Sequence, residues 1–382
     1  MNIKGDRALF AACLLLISST NILSAQAPAK KAAPKAAPAK SAPDKEQPKF
    51  KAIWEPVNVP YDLELRSVHF TSAEEGWVAG GKRALNGGVI LHTSDGGANW
   101  EIQIGDTESS DRSYGDLRFL SPTLGWAAQS TSGGDHRLLR TTDGKIWAPA
   151  GTVAQNRTDY EFVSRDVGFV TSGDAILRTA DGGRKWDPVY RCKVRTEIQG
   201  LTREVACDFS QMHFVNPNLG FTISQELGRD GGIVFAKTED GGTTWTTSVV
   251  LPGQNAKEGA IHFFDANTGV IRMIDGKLFH TADGGKTWNE ASGVAGGKPD
   301  IEFADPQVGW MIRYRTMTYT TNGGQSWVSR EIQFPASVEA FSLVQRDRGY
   351  AVGDHGMVYR YRVVPIEYTS KGMLGAPAMP GR

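Results

Sequence analysis

Thr238-Glu239-Asp240-Gly241-Gly242-Thr243-Thr244-Trp245 is one of six copies of the pattern Thr-x-Asp-Gly-Gly-x-x-Trp, some of them altered at one position. We call each copy a box. The third position of the boxes is occupied by Asp95, Asp143, Asp181, Asp240, Asp283 and Asn322. Self-similarity at a fixed period is typical of repeat architectures, so the period predicts the fold before any single residue does.

A second repeated spacing places an apolar residue six positions ahead of a glycine. The seven pairs are Phe70/Gly76, Phe119/Gly125, Phe162/Gly168, Phe214/Gly220, Phe263/Gly269, Phe303/Gly309 and Leu343/Gly349. Another apolar residue lies two positions before each pair, which is the period of a half-buried strand. A second strand follows the glycine, a third ends at the box, and a fourth begins at the box tryptophan. Four strands in a unit of about 45 residues are typical of a propeller blade. The sequence therefore predicts an all-β, seven-bladed β-propeller of four-stranded antiparallel blades.

The boxes are predicted to be structural. Each lies between a third and a fourth strand, where the chain must reverse. Glycines allow positive φ in such turns, and an aspartate side chain can accept hydrogen bonds from the amides of its own turn. Five repeated aspartates, with an asparagine in the sixth copy, cannot all be one general base. The box side of the ring is therefore not where we expect function.

The last unit has three strands and no box after them. Near the other end of the chain, Trp54-Glu55-Pro56-Val57 matches Trp186-Asp187-Pro188-Val189. We expect this N-terminal strand to complete the last blade, because closure removes an exposed strand edge. The ring then covers residues 51–364.

The segments outside the ring have distinct compositions. Residues 1–27 join basic residues to an apolar run and a small-residue site at Ala27, which is the pattern of a cleaved signal peptide. Residues 28–49 alternate Ala, Pro and Lys and are predicted to be a disordered linker, and residues 365–382 a C-terminal tail. We expect a protein exported to the periplasm or the extracellular space that is not an integral membrane protein.

Removal of the signal peptide leaves two cysteines, Cys192 and Cys207. In an oxidising compartment such a pair is expected to form a disulfide.

Boxes of this kind occur in bacterial neuraminidase repeats, xyloglucanases, sortilin-type receptors and photosystem II stability/assembly factors. The chain most resembles the last family. The resemblance rests on Glu75-Gly76-Trp77-Val78-Ala79-Gly80, on the boxes, and on the closing segment 348–359. It implies a non-enzymatic lumenal or periplasmic factor, linked to photosynthesis, that binds newly made membrane-protein subunits during complex assembly. That family carries an arginine-rich surface in its middle blades, whereas the counterpart region here holds a cysteine-bearing insertion at 190–210.

Candidate binding residues follow from the predicted topology. The long loops fall on the face opposite the boxes, where propellers commonly place their binding function. The largest is the insertion, which carries Arg191, Arg195 and Arg203; it is either a partner-binding arm or a surface excursion held by the disulfide. Residues that precede the first strands are predicted to ring the channel mouth. The candidates among them are Arg66, Asp116, Asp159, Glu258 and Asp300.

Three blades have a histidine at the same position of their predicted first strand. These residues are His69, His213 and His262. Imidazole is a favoured metal ligand, but equivalent positions on separated blades are far apart. We therefore expect these side chains to line a wet channel and predict neither a metal nor a cofactor.

Three classes of function remain open. The first is an exported, non-enzymatic scaffold that binds protein partners during assembly or stabilisation of membrane or envelope complexes. The second is a cell-envelope glycan-active enzyme or lectin, sialidase-like, and the third is a structural adhesion protein. A sialidase needs an arginine triad, and no Arg-Ile-Pro segment lies near the first blade; another glycosidase would need two facing carboxylates. No phosphate-binding loop or nucleic-acid motif is present in the sequence. We expect a monomeric scaffold with protein partners.

Overall fold

The computed structural model describes residues 50–81, 87–106, 111–131, 136–152, 157–198, 200–226, 232–254, 259–273, 275–292 and 301–366. Every secondary-structure element in these ranges is a β-strand. None of the described residues forms a helix that could cross a membrane. The predicted signal peptide and linker, and the tail from residue 367, lie outside the described residues. The strands of the ring run from Phe50 to Pro365.

Seven four-stranded antiparallel sheets form the blades. The chain starts with β1 (Phe50–Val57), which belongs to the last blade. Blade 1 contains β2 (Glu64–Phe70), β3 (Gly76–Gly81), β4 (Gly88–Thr93) and β5 (Glu101–Asp106). Blade 2 contains β6 (Arg112–Ser121), β7 (Leu124–Thr131), β8 (His136–Thr141) and β9 (Trp147–Thr152). Blade 3 contains β10 (Arg157–Phe162), β11 (Gly168–Ser172), β12 (Ala175–Thr179) and β13 (Asp187–Arg191).

A separate hairpin, β14 (Lys193–Ile198) and β15 (Leu201–Ala206), precedes the fourth blade. Blade 4 contains β16 (Phe209–Asn216), β17 (Leu219–Glu226), β18 (Ile233–Thr238) and β19 (Thr246–Val250). Blade 5 contains β20 (Ala260–Phe263), β21 (Gly269–Arg272), β22 (Leu278–Thr281) and β23 (Asn289–Glu290). Blade 6 contains β24 (Glu302–Phe303), β25 (Gly309–Arg313), β26 (Thr316–Thr320) and β27 (Val328–Glu331). Blade 7 contains β28 (Val338–Gln345), β29 (Arg348–Gly353) and β30 (Val358–Pro365), with β1 as its fourth strand. The predicted seven-bladed architecture is confirmed.

The phenylalanine of the repeated spacing explains why a glycine follows it. Phe70 and Gly76 are opposite each other in the ladder between β2 and β3. A Cβ atom at Gly76 would lie only 2.3 Å from the Phe70 ring. The ring meets the box tryptophan of its own blade, Trp100, edge-on at a centroid distance of 6.5 Å, and it stacks on Tyr350 of the preceding blade at 3.5 Å. The repeated phenylalanine–glycine spacing therefore places one aromatic ring in contact with its own blade and with the preceding blade.

Ring closure occurs through the N-terminal strand, as predicted. β1 pairs with β30 over its whole length, from Phe50 opposite Pro365 to Val57 opposite Val358. Trp54 packs among Trp310, Phe334 and Tyr361 at centroid distances of 5.2 to 5.7 Å.

Ionic contacts strengthen the same seam. Glu55 accepts hydrogen bonds from Arg360 at 3.1 Å and from Arg362 at 2.7 Å. The two guanidinium groups lower the pKa of Glu55, although partial burial opposes this effect.

Each box forms a turn that is held by its own side chains. In the fourth blade, Thr238 Oγ1 donates to Asp240 Oδ1 at 2.9 Å and accepts from Gly242 N at 2.9 Å. Asp240 Oδ1 also accepts from Thr244 N at 2.9 Å. Gly241 and Gly242 have φ of 69° and 77°, a region that favours glycine. These bonds support the predicted structural role of the boxes.

The box turns are also tied to the turn between the first and second strands of the same blade. Gly241 N donates to Asn218 O at 2.9 Å, and Gly284 N donates to Asn267 O at 2.8 Å. We call the side of the ring that carries these two sets of turns the box face. The opposite side, where the first strands begin, is the mouth face.

Removal of β1 is predicted to open the ring, whereas removal of residues 28–49 is predicted to leave its stability unchanged. The substitution Trp54→Ala is a milder version of the same change. It should cost about 3 kcal/mol, the lower end of the range for large aromatic residues because Trp54 is partly exposed. Thermal unfolding of the three variants measures this, and equal melting temperatures for the two deletions would contradict closure through β1.

The box aspartates predict a specific acid sensitivity. Hydrogen bonds, chiefly from the side chain and amide of the residue four positions on, lower the pKa of Asp95, Asp240 and Asp283 from 3.8 to about 2. Because the folded-state pKa is depressed, this stabilisation is present above about pH 4 and is lost as the pH falls through about 2.

The matched variant carries both Asp240→Asn and Asp283→Asn. Asparagine can hold the same turn without a charge, since Asn322 in the sixth blade accepts hydrogen bonds from Thr320 Oγ1 and Ser326 N. Denaturant midpoints should fall less steeply between pH 4 and pH 2 in this variant than in the wild type. Parallel profiles for the two proteins would exclude the boxes as the source of the acid sensitivity.

Candidate functional site

The first strands of the seven blades surround a central cavity of about 400 Å³. Strands of a propeller blade alternate their side chains, so every second residue of a first strand faces this channel. Its charged and histidine lining consists of Arg66, His69, Asp116, Arg118, Asp159, Glu161, His213, His262, Glu302 and Glu339. The predicted mouth residues Arg66, Asp116 and Asp159 are therefore brought together in one cavity. Glu258 and Asp300 lie outside the described residues.

Side chains of the first strands also join neighbouring blades. At four blade boundaries, a side chain on one first strand accepts a hydrogen bond from a backbone amide on the first strand of the next blade. The bonds are Leu117 N to Ser67 Oγ at 2.9 Å, Phe214 N to both oxygens of Glu161 at 3.1 Å, Leu343 N to Glu302 Oε2 at 2.6 Å and Phe70 N to Ser342 Oγ at 3.2 Å. A buried amide needs an acceptor, so these polar residues have a structural role that the sequence did not reveal.

Two carboxyl groups lie close together on β10. Asp159 and Glu161 are two residues apart and line the same cavity. Burial raises the pKa of Glu161 to about 8, and the charge of Asp159 adds to this effect. Burial also raises the pKa of Asp159, although Arg118, with a guanidinium nitrogen 3.6 Å from Asp159 Oδ1, opposes the shift. Enclosure lowers the pKa of Arg118, but Asp159, Asp116 and Glu161 help to raise it above its ordinary value.

The three histidines do not meet at one point. His213 and His262 stack at a centroid distance of 4.2 Å, whereas His69 stacks against Phe119. His213 Nε2 lies 3.0 Å from Phe263 O, and since a carbonyl only accepts, this nitrogen carries the proton. Within the described ranges, no group of three or more His, Cys, Asp or Glu side chains is arranged to hold a metal ion.

Ion pairs mark the rim of the channel on the mouth face. Arg66 is more than half exposed and donates to Glu64 at 2.6 Å, with Glu339 at 3.7 Å. His355 and Asp62 form a second exposed pair at 3.0 Å. The rim therefore carries both signs of charge.

The insertion is a two-stranded hairpin on the mouth face. β14 and β15 pair from Lys193 opposite Ala206 to Ile198 opposite Leu201. The predicted disulfide between Cys192 and Cys207 is present, with a Cα–Cα distance of 5.4 Å, and both cysteines are buried. They pack in the core cluster that includes Phe169 and Phe209. The hairpin is thus anchored at its base.

Of the predicted arginines of the insertion, Arg195 and Arg203 lie on this hairpin and Arg191 ends β13, and none of them lines the channel. Arg191 donates to Asp174 at 2.8 Å, and Arg195 lies 3.9 Å from Glu204. Arg203 is exposed on β15. Arg203 is opposite Thr196 and Arg195 is opposite Glu204, so the two hairpin arginines lie on opposite faces of the hairpin.

A further cationic cluster lies on the box face between blades 2 and 3, where sequence reasoning expected no site. We define the arginine cluster as Arg140, Arg165 and Arg184. The Arg140 guanidinium lies 5.5 Å from the centre of the Trp126 ring and donates to Arg165 O at 2.7 Å. Burial lowers the pKa of Arg140, Asp166 opposes this, and Arg165 and Arg184 lower it further.

A cavity of about 330 Å³ is lined by Arg140, Arg184 and the apolar residues Ile146 and Pro149. Ile146 is 72% exposed, the highest value among the large apolar side chains that the structure describes. The one available sequence signal is a basic residue directly before a box threonine, as in Arg140-Thr141 and Lys237-Thr238. Lys237 takes the equivalent place in blade 4, 5.9 Å from the centre of the Phe221 ring.

No protein-family model matches the chain. Two curated relatives are photosystem II assembly proteins named Ycf48. The one from Synechococcus sp. (strain JA-2-3B'a(2-13)) is 24% identical over 305 residues, covering 69% of this chain and 86% of the relative. The one from Thermosynechococcus vestitus is 21% identical over 321 residues, covering 81% of this chain and 84% of the relative. The chain is similar to photosystem II assembly proteins. The similarity is weak but consistent, and it confirms the resemblance found in the sequence.

Solved structures share the fold. YCF48 from Cyanidioschyzon merolae has a TM-score of 0.59 and 18% identity, covering 81% of this chain and 98% of that chain. YCF48 bound to D1 peptide has a TM-score of 0.55 and 18% identity, covering 81% and 96%. The GH74 xyloglucanase from Xanthomonas campestris has a TM-score of 0.53 and 15% identity, covering 81% of this chain and 53% of that chain. At these identities the likeness shows the propeller fold alone.

The buried disulfide is predicted to resist alkylation until it is reduced and the protein unfolds locally. In the chain-entropy model, loss of a link between residues 15 apart costs about 3 kcal/mol. Cys192→Ser with Cys207→Ser should lower the denaturation midpoint accordingly. Mass spectrometry of the native protein after iodoacetamide treatment provides the second measurement. Rapid labelling of both cysteines without reductant would contradict the bond.

Proposed function

We propose that this chain is an exported, non-enzymatic scaffold that binds segments of protein partners while membrane or envelope complexes assemble or are stabilised. The observation that carries the proposal is the similarity to photosystem II assembly proteins over most of the ring. The structure of YCF48 bound to D1 peptide supports a peptide as the kind of ligand. The signal-peptide pattern of residues 1–27 supports a site of action in the periplasm or the extracellular space.

The arginine cluster is the surface that best fits a peptide ligand. Arg140 is held in place by Trp126 and by the carbonyl of Arg165, so little side-chain freedom remains to be lost on binding. Guanidinium groups recognise carboxylates through paired hydrogen bonds. Ile146 and Pro149 add an apolar shelf beside these charges. An acidic segment with a neighbouring apolar side chain is therefore the ligand that we infer for this groove.

The hairpin and the channel rim are a second candidate surface. Arg191, Arg195 and Arg203 project on the mouth face, but Arg191 and Arg195 each have an acidic neighbour. A partner must compete with those acids here, as it must compete with Asp166, 3.8 Å from Arg140, in the arginine cluster.

A glycan-active enzyme or lectin is the second candidate function, and one observation favours it. Glu161, with its pKa raised to about 8, lies beside Asp159 in a cavity, and a raised carboxyl pKa suits a general acid. However, Asp159 and Glu161 both accept backbone amides of blade 4, from Met212 and Phe214. Turnover of chromogenic glycosides that is lost in Asp159→Asn would establish this alternative.

The scaffold is tested with purified protein and an array of peptides from the exported segments of the host's membrane proteins. We expect the wild type to select acidic peptides and Arg184→Glu to bind them at least tenfold more weakly, since each charged hydrogen bond contributes about 1.5–3 kcal/mol. Lys185→Glu is the matched control, because Lys185 is the next residue and pairs with Asp187 at 2.7 Å outside the groove.

A variant in which residues 193–206 are replaced by a short glycine turn reports separately on the hairpin. Selection of no peptide class above background would contradict the scaffold. Equal losses in Arg184→Glu and Lys185→Glu would move the binding surface away from the arginine cluster.

A further inference from the structure

The central channel has more carboxyl groups than basic groups in the part of its lining that the structure describes. The carboxyl groups belong to Asp116, Asp159, Glu161, Glu302 and Glu339, and the guanidinium groups to Arg66 and Arg118. The histidines add no charge near neutral pH. Burial lowers the pKa of His69 and His213 to about 4 and that of His262 well below its ordinary value. The channel interior is therefore a favourable environment for a cation.

Glu161 and Asp159 form the most enclosed part of this negative lining. Asp159 accepts amide hydrogen bonds from Tyr160 at 2.9 Å and Met212 at 3.3 Å. Both oxygens of Glu161 share the single amide of Phe214 at 3.1 Å. A carboxylate has about four acceptor positions, so among the described contacts Glu161 uses only part of its capacity. A bound cation could occupy the remainder.

The groups facing Glu161 do not neutralise it. On its own strand, β10, the nearest ionisable group is Asp159, and on β6 they are Arg118 and Asp116. β11, which pairs with β10, carries no ionisable side chain, and β16 contributes the neutral His213. Arg118 lowers the pKa of Glu161 less than burial and Asp159 raise it.

The other walls of the channel suit an aliphatic chain. His213 and His262 present stacked, uncharged rings, and Ile261 and Ile301 also line the cavity. A volume of about 400 Å³ is near the lower end of the range of about 300–1,000 Å³ for ligand sites. It admits a single extended side chain or a small linear molecule and excludes a folded segment.

We propose that the channel binds an alkylammonium ion, with its nitrogen at Asp159 and Glu161 and its carbon chain along the histidine and isoleucine walls. The ion is either the lysine side chain of a bound protein segment or a free polyamine. The site is built by the channel alone and is independent of the assembly function proposed above.

The experiment is titration calorimetry of the full chain with cadaverine and with N-acetyl-lysine amide, and N-acetyl-norleucine amide as the uncharged control. The ammonium ligands should bind and the control should not. Binding requires the ionised form of Glu161, whose pKa is about 8. Affinity should therefore be up to about 25-fold weaker at pH 6.5 than at pH 8.5, and binding at intermediate pH should release a proton. Repeating the titration in buffers of different ionisation enthalpy measures that release without any variant.

Glu161→Gln keeps a carbonyl oxygen for the Phe214 amide and removes the charge, so binding should weaken at least tenfold and lose its pH dependence. Glu239→Gln is the matched control, because Glu239 is exposed on the box face beside Lys237. Preference for cadaverine identifies a polyamine as the ligand, and preference for the lysine derivative identifies a side chain. Absence of binding by both ammonium ligands at millimolar concentration, or equal binding of the norleucine control, would overturn the proposal. So would unchanged affinity in a folded Glu161→Gln variant.

Discussion

The phenylalanine that six of the seven first strands place opposite a glycine is the contact on which the rest of the ring depends. In blade 2, Phe119 lies against Gly125, meets Trp147 edge-on at 5.8 Å and stacks on Trp77 of blade 1 at 3.8 Å. One side chain thus contacts the second and fourth strands of its own blade and the second strand of its neighbour. Aromatic pairs of this geometry add to the free energy of burying apolar area. The fold of a blade and its attachment to the next blade are therefore not separable.

The polar channel follows from the same packing. When aromatic side chains bring the first strands together around an axis, the inner edges of those strands have no further strand to pair with. Side chains from the preceding blade, such as Ser67 and Glu161, then accept the amides of Leu117 and Phe214. Acidic residues at this place need no catalytic explanation, because a buried amide without an acceptor costs about 1–3 kcal/mol. Only acceptor capacity beyond this structural use is available to a ligand.

Contacts within one repeat could be predicted from the sequence, and contacts between repeats could not. The spacing of Phe119 and Gly125 and the stray Trp54 are local patterns, so blade number and ring closure followed from them. In the arginine cluster, Arg140 on β8 donates to Arg165 O in the next blade at 2.7 Å, and no spacing along the chain indicates that approach. Trp126 shows the same limitation, since its Nε1 donates to Gly182 O at 3.1 Å across the blade boundary.

The prediction that the mouth face carries the function rested on loop length. Loop length shows where residues are inserted, but it does not show what those residues bind. The hairpin is on that face as expected, yet Arg191, which precedes it at the end of β13, has Asp174 beside it. On the box face, the same turns that hold the structure leave Ile146 exposed beside two arginines, because the second box lacks one glycine and its Asp143 accepts the amides of Lys145 and Ile146 instead. A small departure from the repeat therefore accompanies the exposed isoleucine in this groove.

The two faces also differ in how the chain reaches them. Phe50, where the described ring begins, is opposite Pro365, where its last strand ends. Both ends lie on the box side of blade 7, because β30 runs from the mouth face to the box face and β1 starts beside its end. The described chain therefore enters and leaves the ring on the box face, which also carries the arginine cluster. A ligand entering the channel and a peptide on the arginine cluster would approach from opposite sides, so binding of one need not exclude the other.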